Sequence, residues 1–172
     1  EEANRLNGIV TEFLDFARPQ VPRLNACRPV EVLERNIEFL RPELDKDDIE
    51  LVERLEGDIE VQADSGLLYR AFLNVLLNAV QAMPEGGRLI VATEVRRGVG
   101  LVVSVEDTGG GIPEDRLRKV WNPFFTTKDK GSGLGLPIVK TIIEGHGGRV
   151  EIESTEGKGT KVIMTLPVSG RR

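Results

Sequence analysis

Four polar side chains, Arg70, Asn74, Asn78 and Gln81, recur at spacings of four, four and three inside an otherwise apolar stretch. On a helix of 3.6 residues per turn they fall in one stripe, leaving Leu68, Phe72, Val75, Leu76 and Ala79 to pack on the other sides. A stripe facing only water would normally be filled with Lys and Glu. Two carboxamides one turn apart point to a polar ligand instead. Three glycine clusters are the other chemical signal. After Val105-Glu106, Asp107 ends a strand as a hydrogen-bond acceptor, and Gly109, Gly110 and Gly111, ahead of Ile112 and Pro113, free the backbone to approach a ligand closely. Gly131, Gly133 and Gly135 lead through Leu134 and Leu136 into a helix whose early Pro137 is tolerated, because first-turn amides have no helical partners. Unpaired amides at a positive helix end suit phosphate. For Gly157 and Gly159, a simple hairpin turn and a ligand contact weigh equally.

The elements that must position these residues are set by pattern. Residues 64–83 read as a helix with Asp64 as N-cap, preceded by a helix at 30–44 and short strands at 49–55 and 59–62. Strands at 88–96 and 101–106 form a hairpin, and a short helix spans 114–120. Residues 122–133 carry no period and are expected to be a mobile lid anchored by Phe124 and Phe125. A helix at 134–144 stops at Gly145, and a last hairpin joins 149–154 to 161–167. Helices with a largely antiparallel sheet covered on one face make the fold α+β.

The 172 residues, with a net charge of -5, suit one domain with a small appendage and no general affinity for nucleic acid. Lone Cys27 has no disulfide partner, which favours a reducing, cytoplasmic setting. No apolar run is long enough to span a membrane, and none reads as a signal peptide. Leu6, Ile9, Val10, Phe13, Leu14, Phe16 and Ala17 draw an apolar seam on an opening helix that must dock elsewhere, with a partner chain favoured. Pro19, Pro22 and Pro29 make the next stretch a stiff, extended connection. The expected division is a helix at 1–19, a linker at 20–28 and a globular domain at 29–172.

Neither GxGxxG nor GxxxxGK[ST] occurs. The order of motifs is more specific: Asn74-xxx-Asn78-Ala79, Asp107-x-Gly109-x-Gly111, Phe124-Phe125, Gly131-x-Gly133-x-Gly135-Leu136 and Gly157-x-Gly159-Thr160. Together they resemble the ATP-binding domain of sensor histidine kinases, in the GHKL superfamily with DNA gyrase, MutL repair proteins and a heat-shock chaperone. The runs at 121–128 and 143–148 look most like the nitrogen-regulation type of kinase.

That resemblance implies a Bergerat-type two-layer sandwich of helices on a mixed, largely antiparallel sheet. It implies ATP and Mg2+ as ligands, with Asn78 as the magnesium residue, a neutral oxygen donor suited to an ion that keeps its waters. Asn74 and Gln81 would line the same pocket, Asp107 would accept the adenine amino group with support from Thr160, and Gly109, Gly111 and Ile112 would shape that end. Gly131, Gly133, Leu134, Gly135 and Leu136 would reach the phosphates, with Lys128 or Lys130 adding a cation. Residues 1–19 resemble the end of the second helix of a dimerisation and phosphotransfer hairpin, so the implied partners are that domain, a second copy of the full-length chain and a response regulator. The acceptor histidine is not in this sequence, and His146 reads as structural. Many relatives carry a Lys and an aromatic where Gln81 and Ala82 stand here. Two rivals are a chaperone- or topoisomerase-type ATPase, disfavoured by Asn74 where those enzymes have glutamate, and a non-catalytic nucleotide sensor.

Overall fold

The computed structural model describes residues 21–126 and 131–168, together with Thr11 and Leu14. The remainder of the opening helix expected at 1–19, and residues 127–130 of the expected lid, lie outside the described residues. The elements run β1 (Asn25–Cys27), α1 (Pro29–Lys46), β2 (Ile49–Leu55), β3 (Val61–Ala63), α2 (Ser65–Gln81), β4 (Gly87–Arg96), β5 (Gly100–Asp107), α3 (Glu114–Leu117), α4 (Gly135–Gly145), β6 (Arg149–Thr155) and β7 (Gly159–Leu166).

Five strands form one mixed sheet in the order β2-β4-β5-β7-β6. β2 and β4 are parallel, because the segment between them carries β3 and α2 and returns by a crossover. The other three pairings are antiparallel. Alternation sends Leu101, Val103 and Val105 of β5 and Val162, Met164 and Leu166 of β7 into one core with α1, α2 and α4. The opposite face carries exposed ion pairs, among them Arg88 with Glu50 at 2.9 Å and Lys161 with Glu106 at 3.5 Å. Such pairs contribute about 0–1 kcal/mol each.

The stretch expected as a linker is extended, but it is also fastened. β1 pairs antiparallel with β3 and delivers Cys27 to the core. Burial pushes the Cys27 thiol above its ordinary pKa, which keeps it protonated and unreactive. Helix α2 is held along its length by burial of Leu68, Ala71, Phe72, Val75, Leu76, Ala79 and Val80. Its start is set by Asp64, whose Oδ1 accepts from the Gly66 and Leu67 amides at 3.1 Å each, and whose Oδ2 accepts from the Arg23 amide at 3.0 Å. Burial works against this carboxylate, but the three amide donors outweigh it and hold its pKa below the usual value.

Helix α1 contains one polar misfit. Asn36 is fully buried; its Nδ2 donates to the Val32 carbonyl at 3.1 Å, while Oδ1 has no partner among the described residues. An unsatisfied buried oxygen costs about 1–3 kcal/mol. Asn36→Leu, which keeps the branched shape, is expected to raise unfolding stability by about 1 kcal/mol, read as a higher urea midpoint at unchanged slope. An equal or lower midpoint would mean that the amide is satisfied after all.

Candidate functional site

Asn74 and Asn78 sit one turn apart on α2 and face the start of α4. A Cβ placed on Gly135 would lie 3.5 Å from Asn78 Nδ2 and 3.8 Å from Asn74 Oδ1. The two carboxamides and the first amides of α4, which the geometry of a helix leaves without intrahelical partners, therefore converge on one place. Ser132 tightens the approach, its hydroxyl accepting from the Leu134 amide at 3.3 Å. At the other end, Asp107 is 5% exposed, and its Oδ1 accepts from the Gly109 amide at 2.9 Å.

The glycine loop after Asp107 is stitched on both sides. Gly110 donates to the Ala82 carbonyl at 3.4 Å, Gly157 donates to the Gly110 carbonyl at 2.7 Å, and the Ile112 amide donates to Ser154 Oγ at 2.8 Å. Neither Gly157 nor Gly159, for which a turn and a ligand contact were weighed equally, is among the residues that line the cavity described below. Gly157 lies in the turn between β6 and β7, whereas Gly159 opens β7 and packs against Asp107, where an added Cβ would overlap the Asp107 carbonyl oxygen. Gly157 has open space around its Cα.

These elements surround a cavity of about 840 Å³, within the usual range of small-molecule sites, roughly 300–1,000 Å³. Of the residues singled out from sequence, Asn74, Asn78, Gln81, Asp107, Gly111, Ile112, Gly131, Gly133, Gly135, Leu136 and Thr160 line it. Gly109 braces the loop from behind, and Leu134 is fully buried in the core instead of facing the cavity. Lys128 lies outside the described residues. Among the described residues no lysine or arginine lines the cavity, so the attraction they offer an anion comes from amides and the α4 N-terminus.

Pattern reading missed an apolar floor. Val105, Val162 and Ile152 stand side by side on β5, β7 and β6 and line the cavity with Ala79, Leu77 and Val120. Period-two alternation from Asp107 and Thr160 was the signal available, but it needed the register. Phe125 and Thr126 also line the cavity, whereas Phe124 is 56% exposed. Phe124 takes φ +66° and donates its amide to the Gly133 carbonyl at 3.1 Å. Lys140 Nζ lies 5.9 Å from the Trp121 ring centroid, a cation–π contact worth about 0.5–1 kcal/mol.

His146 is 8% exposed. Its Nε2 accepts from the Asp64 amide at 2.9 Å, and Nδ1 therefore carries the proton and donates to the Ile142 carbonyl at 2.7 Å. Both ring nitrogens are engaged, as a structural histidine requires.

Comparison with known proteins places these features together. Residues 63–170 match the family described as histidine kinase-, DNA gyrase B-, and HSP90-like ATPase. The chain is 36% identical over 170 residues to sensor histidine kinase ZraS of Escherichia coli O157:H7, covering 98% of this chain and 37% of that protein. It spans well under half the length of the curated relatives it matches. Among solved structures it is similar to full-length ShkA in complex with AMPPNP, with a TM-score of 0.86 and 27% identity, covering 96% of this chain and 36% of that one. Histidine kinase ThkA in complex with response regulator protein TrrA is similar over 98% of this chain and 48% of its own, with a TM-score of 0.82 and 28% identity.

Proposed function

Because the chain belongs to the family of histidine kinase-, DNA gyrase B- and HSP90-like ATPases, we propose that it is the catalytic, ATP-binding part of a two-component sensor histidine kinase. The observation that carries this reading is that one cavity is lined by Asn74, Asn78, Asp107, Thr160, Gly131, Gly133, Gly135 and Leu136. In it Asp107 receives the adenine amino group, Val105, Val162 and Ile152 meet the flat ring, and the triphosphate runs toward the α4 N-terminus. A guanine carbonyl would meet the Asp107 carboxylate acceptor to acceptor, so ATP is preferred over GTP.

Asn78 is the residue to hold Mg2+. Among the described residues no group of three His, Cys, Asp or Glu side chains could hold a metal ion, which fits an ion that takes its neutralisation from phosphates and keeps its waters. Bound there, the ion would offset charge on the phosphates. The chain's own contribution is to bind, orient and exclude water, since phosphoryl transfer depends chiefly on position and electrostatics. The γ-phosphoryl group passes to a histidine nitrogen on an upstream helical hairpin, ADP leaves, and a response-regulator aspartate is the final acceptor. We assign 1–19 to the end of that hairpin's second helix, 20–28 to the linker, whose residues 25–27 are fastened to the domain as β1, and 29–172 to the catalytic domain, which acts in the cytoplasm within a homodimer. The runs at 121–128 and 143–148 support a place beside the nitrogen-regulation type.

Asn74 separates kinase from hydrolase. A carboxylate there could take a proton from water as a general base, and asparagine cannot. The chain is expected to bind Mg-ATP, to release negligible phosphate and to acquire no stable label from γ-labelled ATP. It should label a supplied histidine-bearing hairpin as an acid-labile, base-stable phosphoprotein, and Asn74→Glu should raise hydrolysis at the expense of transfer. Brisk phosphate release without transfer would move the chain into the ATPase branch.

A further inference from the structure

Beside the polar end of the cavity stands a side chain that is not one of its walls. Ser154 of β6 pairs with Thr160 of β7, and Thr160 pairs with Asp107 of β5. The three side chains therefore form one row on the core side of the sheet, with neighbours separated by about the 4.8 Å spacing between strands. Asp107 and Thr160 line the cavity, and Ser154 lies behind them.

Ser154 Oγ has three polar neighbours: the Ile112 amide at 2.8 Å, the Gly159 carbonyl at 2.9 Å and Thr160 Oγ1 at 2.8 Å. An amide can only donate, a carbonyl can only accept, and a serine hydroxyl has one proton. That proton goes to Gly159, because nothing else in the group can make that contact attractive. The contact between the two hydroxyls must then be made with the proton of Thr160. Thr160 is left with lone pairs alone for anything in the cavity, next to a carboxylate that also only accepts.

We propose that Ser154 is a specificity-determining positioning residue, which takes the Thr160 proton and so makes this end of the pocket acceptor-only, favouring a purine with an amino group at C6 over one with a carbonyl there. The proposal rests on the reading of the cavity as a purine nucleotide site. Without the serine hydroxyl, Thr160 can rotate and donate to a C6 carbonyl, and the choice of base weakens.

ADP and inosine diphosphate differ at this edge of the base and suit a calorimetric test on the chain as it stands. The parent should prefer ADP, and Ser154→Ala should cut that preference by about tenfold, the effect of one hydrogen bond changing sign, mainly by tightening inosine diphosphate. Ser154→Thr, which restores a hydroxyl, should keep the parental ratio. In a Thr160→Val background Ser154→Ala should leave the ratio unmoved, and Thr160→Val alone should itself lower it. An unchanged ratio in Ser154→Ala, or equal weakening of both nucleotides, would reduce Ser154 to a brace and overturn the proposal while the pocket stands. A parent chain that bound neither nucleotide would instead overturn the pocket reading, and the proposal with it.

Discussion

Asp107→Asn is expected to weaken Mg-ATP binding by ten- to a hundredfold, from the loss of a charged hydrogen bond worth about 1.5–3 kcal/mol. The structure makes the outcome sharper than a simple loss of charge. Oδ1 of Asp107 already accepts from the Gly109 amide, and a carboxamide has only one acceptor oxygen to meet it. The amide NH2 then takes the place of Oδ2, so an amino group on the base meets a donor where it had met an acceptor. Folding should change little, because the Gly109 contact survives. Calorimetry with ATP, beside a thermal melt of the unliganded variant, tests this; a variant that bound ATP like the parent would place the base elsewhere.

Gly159→Ala is expected to be strongly destabilising for a single added methyl. Gly159 has φ +122°, a conformation L residues rarely adopt, and the new Cβ would overlap the Asp107 carbonyl oxygen across the β5–β7 pair. Backbone strain of about 1–3 kcal/mol and a forced strand shift of similar size together should destabilise by on the order of 3–5 kcal/mol. Gly157→Ala is the control. It shares the positive φ, at +77°, but meets nothing within contact range, so it should cost only about 1–2 kcal/mol. Urea midpoints decide: equal losses at the two positions would mean that turn strain, and not close packing on Asp107, is what requires glycine at 159.

Most of what is local was legible in the amino acids. The stripe of Asn74, Asn78 and Gln81, the Asp64 cap and the hairpin between β4 and β5 each depend on neighbours a few residues away, and each is where pattern placed it. What was hidden depends on pairings between distant segments. Parallel β2 and β4 bracket a long crossover that alternation cannot reveal. The three residues of β1 have no apolar period, so only their partner β3 makes them a strand. The cavity floor and Ser154 needed the register of β5, β7 and β6, and a slip of one residue would have turned each of them to the other face. Leu134 misled for a different reason: it lies within a glycine run that reaches the cavity, yet its own side chain is the plug that fixes the run to the core.

The strand order has a consequence for how the molecule is made. Among the described residues β7 is the last strand in order of sequence, yet it lies inside the sheet, with β5 on one side and β6 on the other. While the polypeptide leaves the ribosome, β6 has no strand to pair with and β5 keeps an open edge until the residues up to Leu166 have emerged. The row of Asp107, Thr160 and Ser154 closes only then. Nucleotide can therefore reward only a chain synthesised through β7, and a nascent chain arrested in β6 exposes the pairing edge of β5, the point at which it is most open to aggregation or to a chaperone.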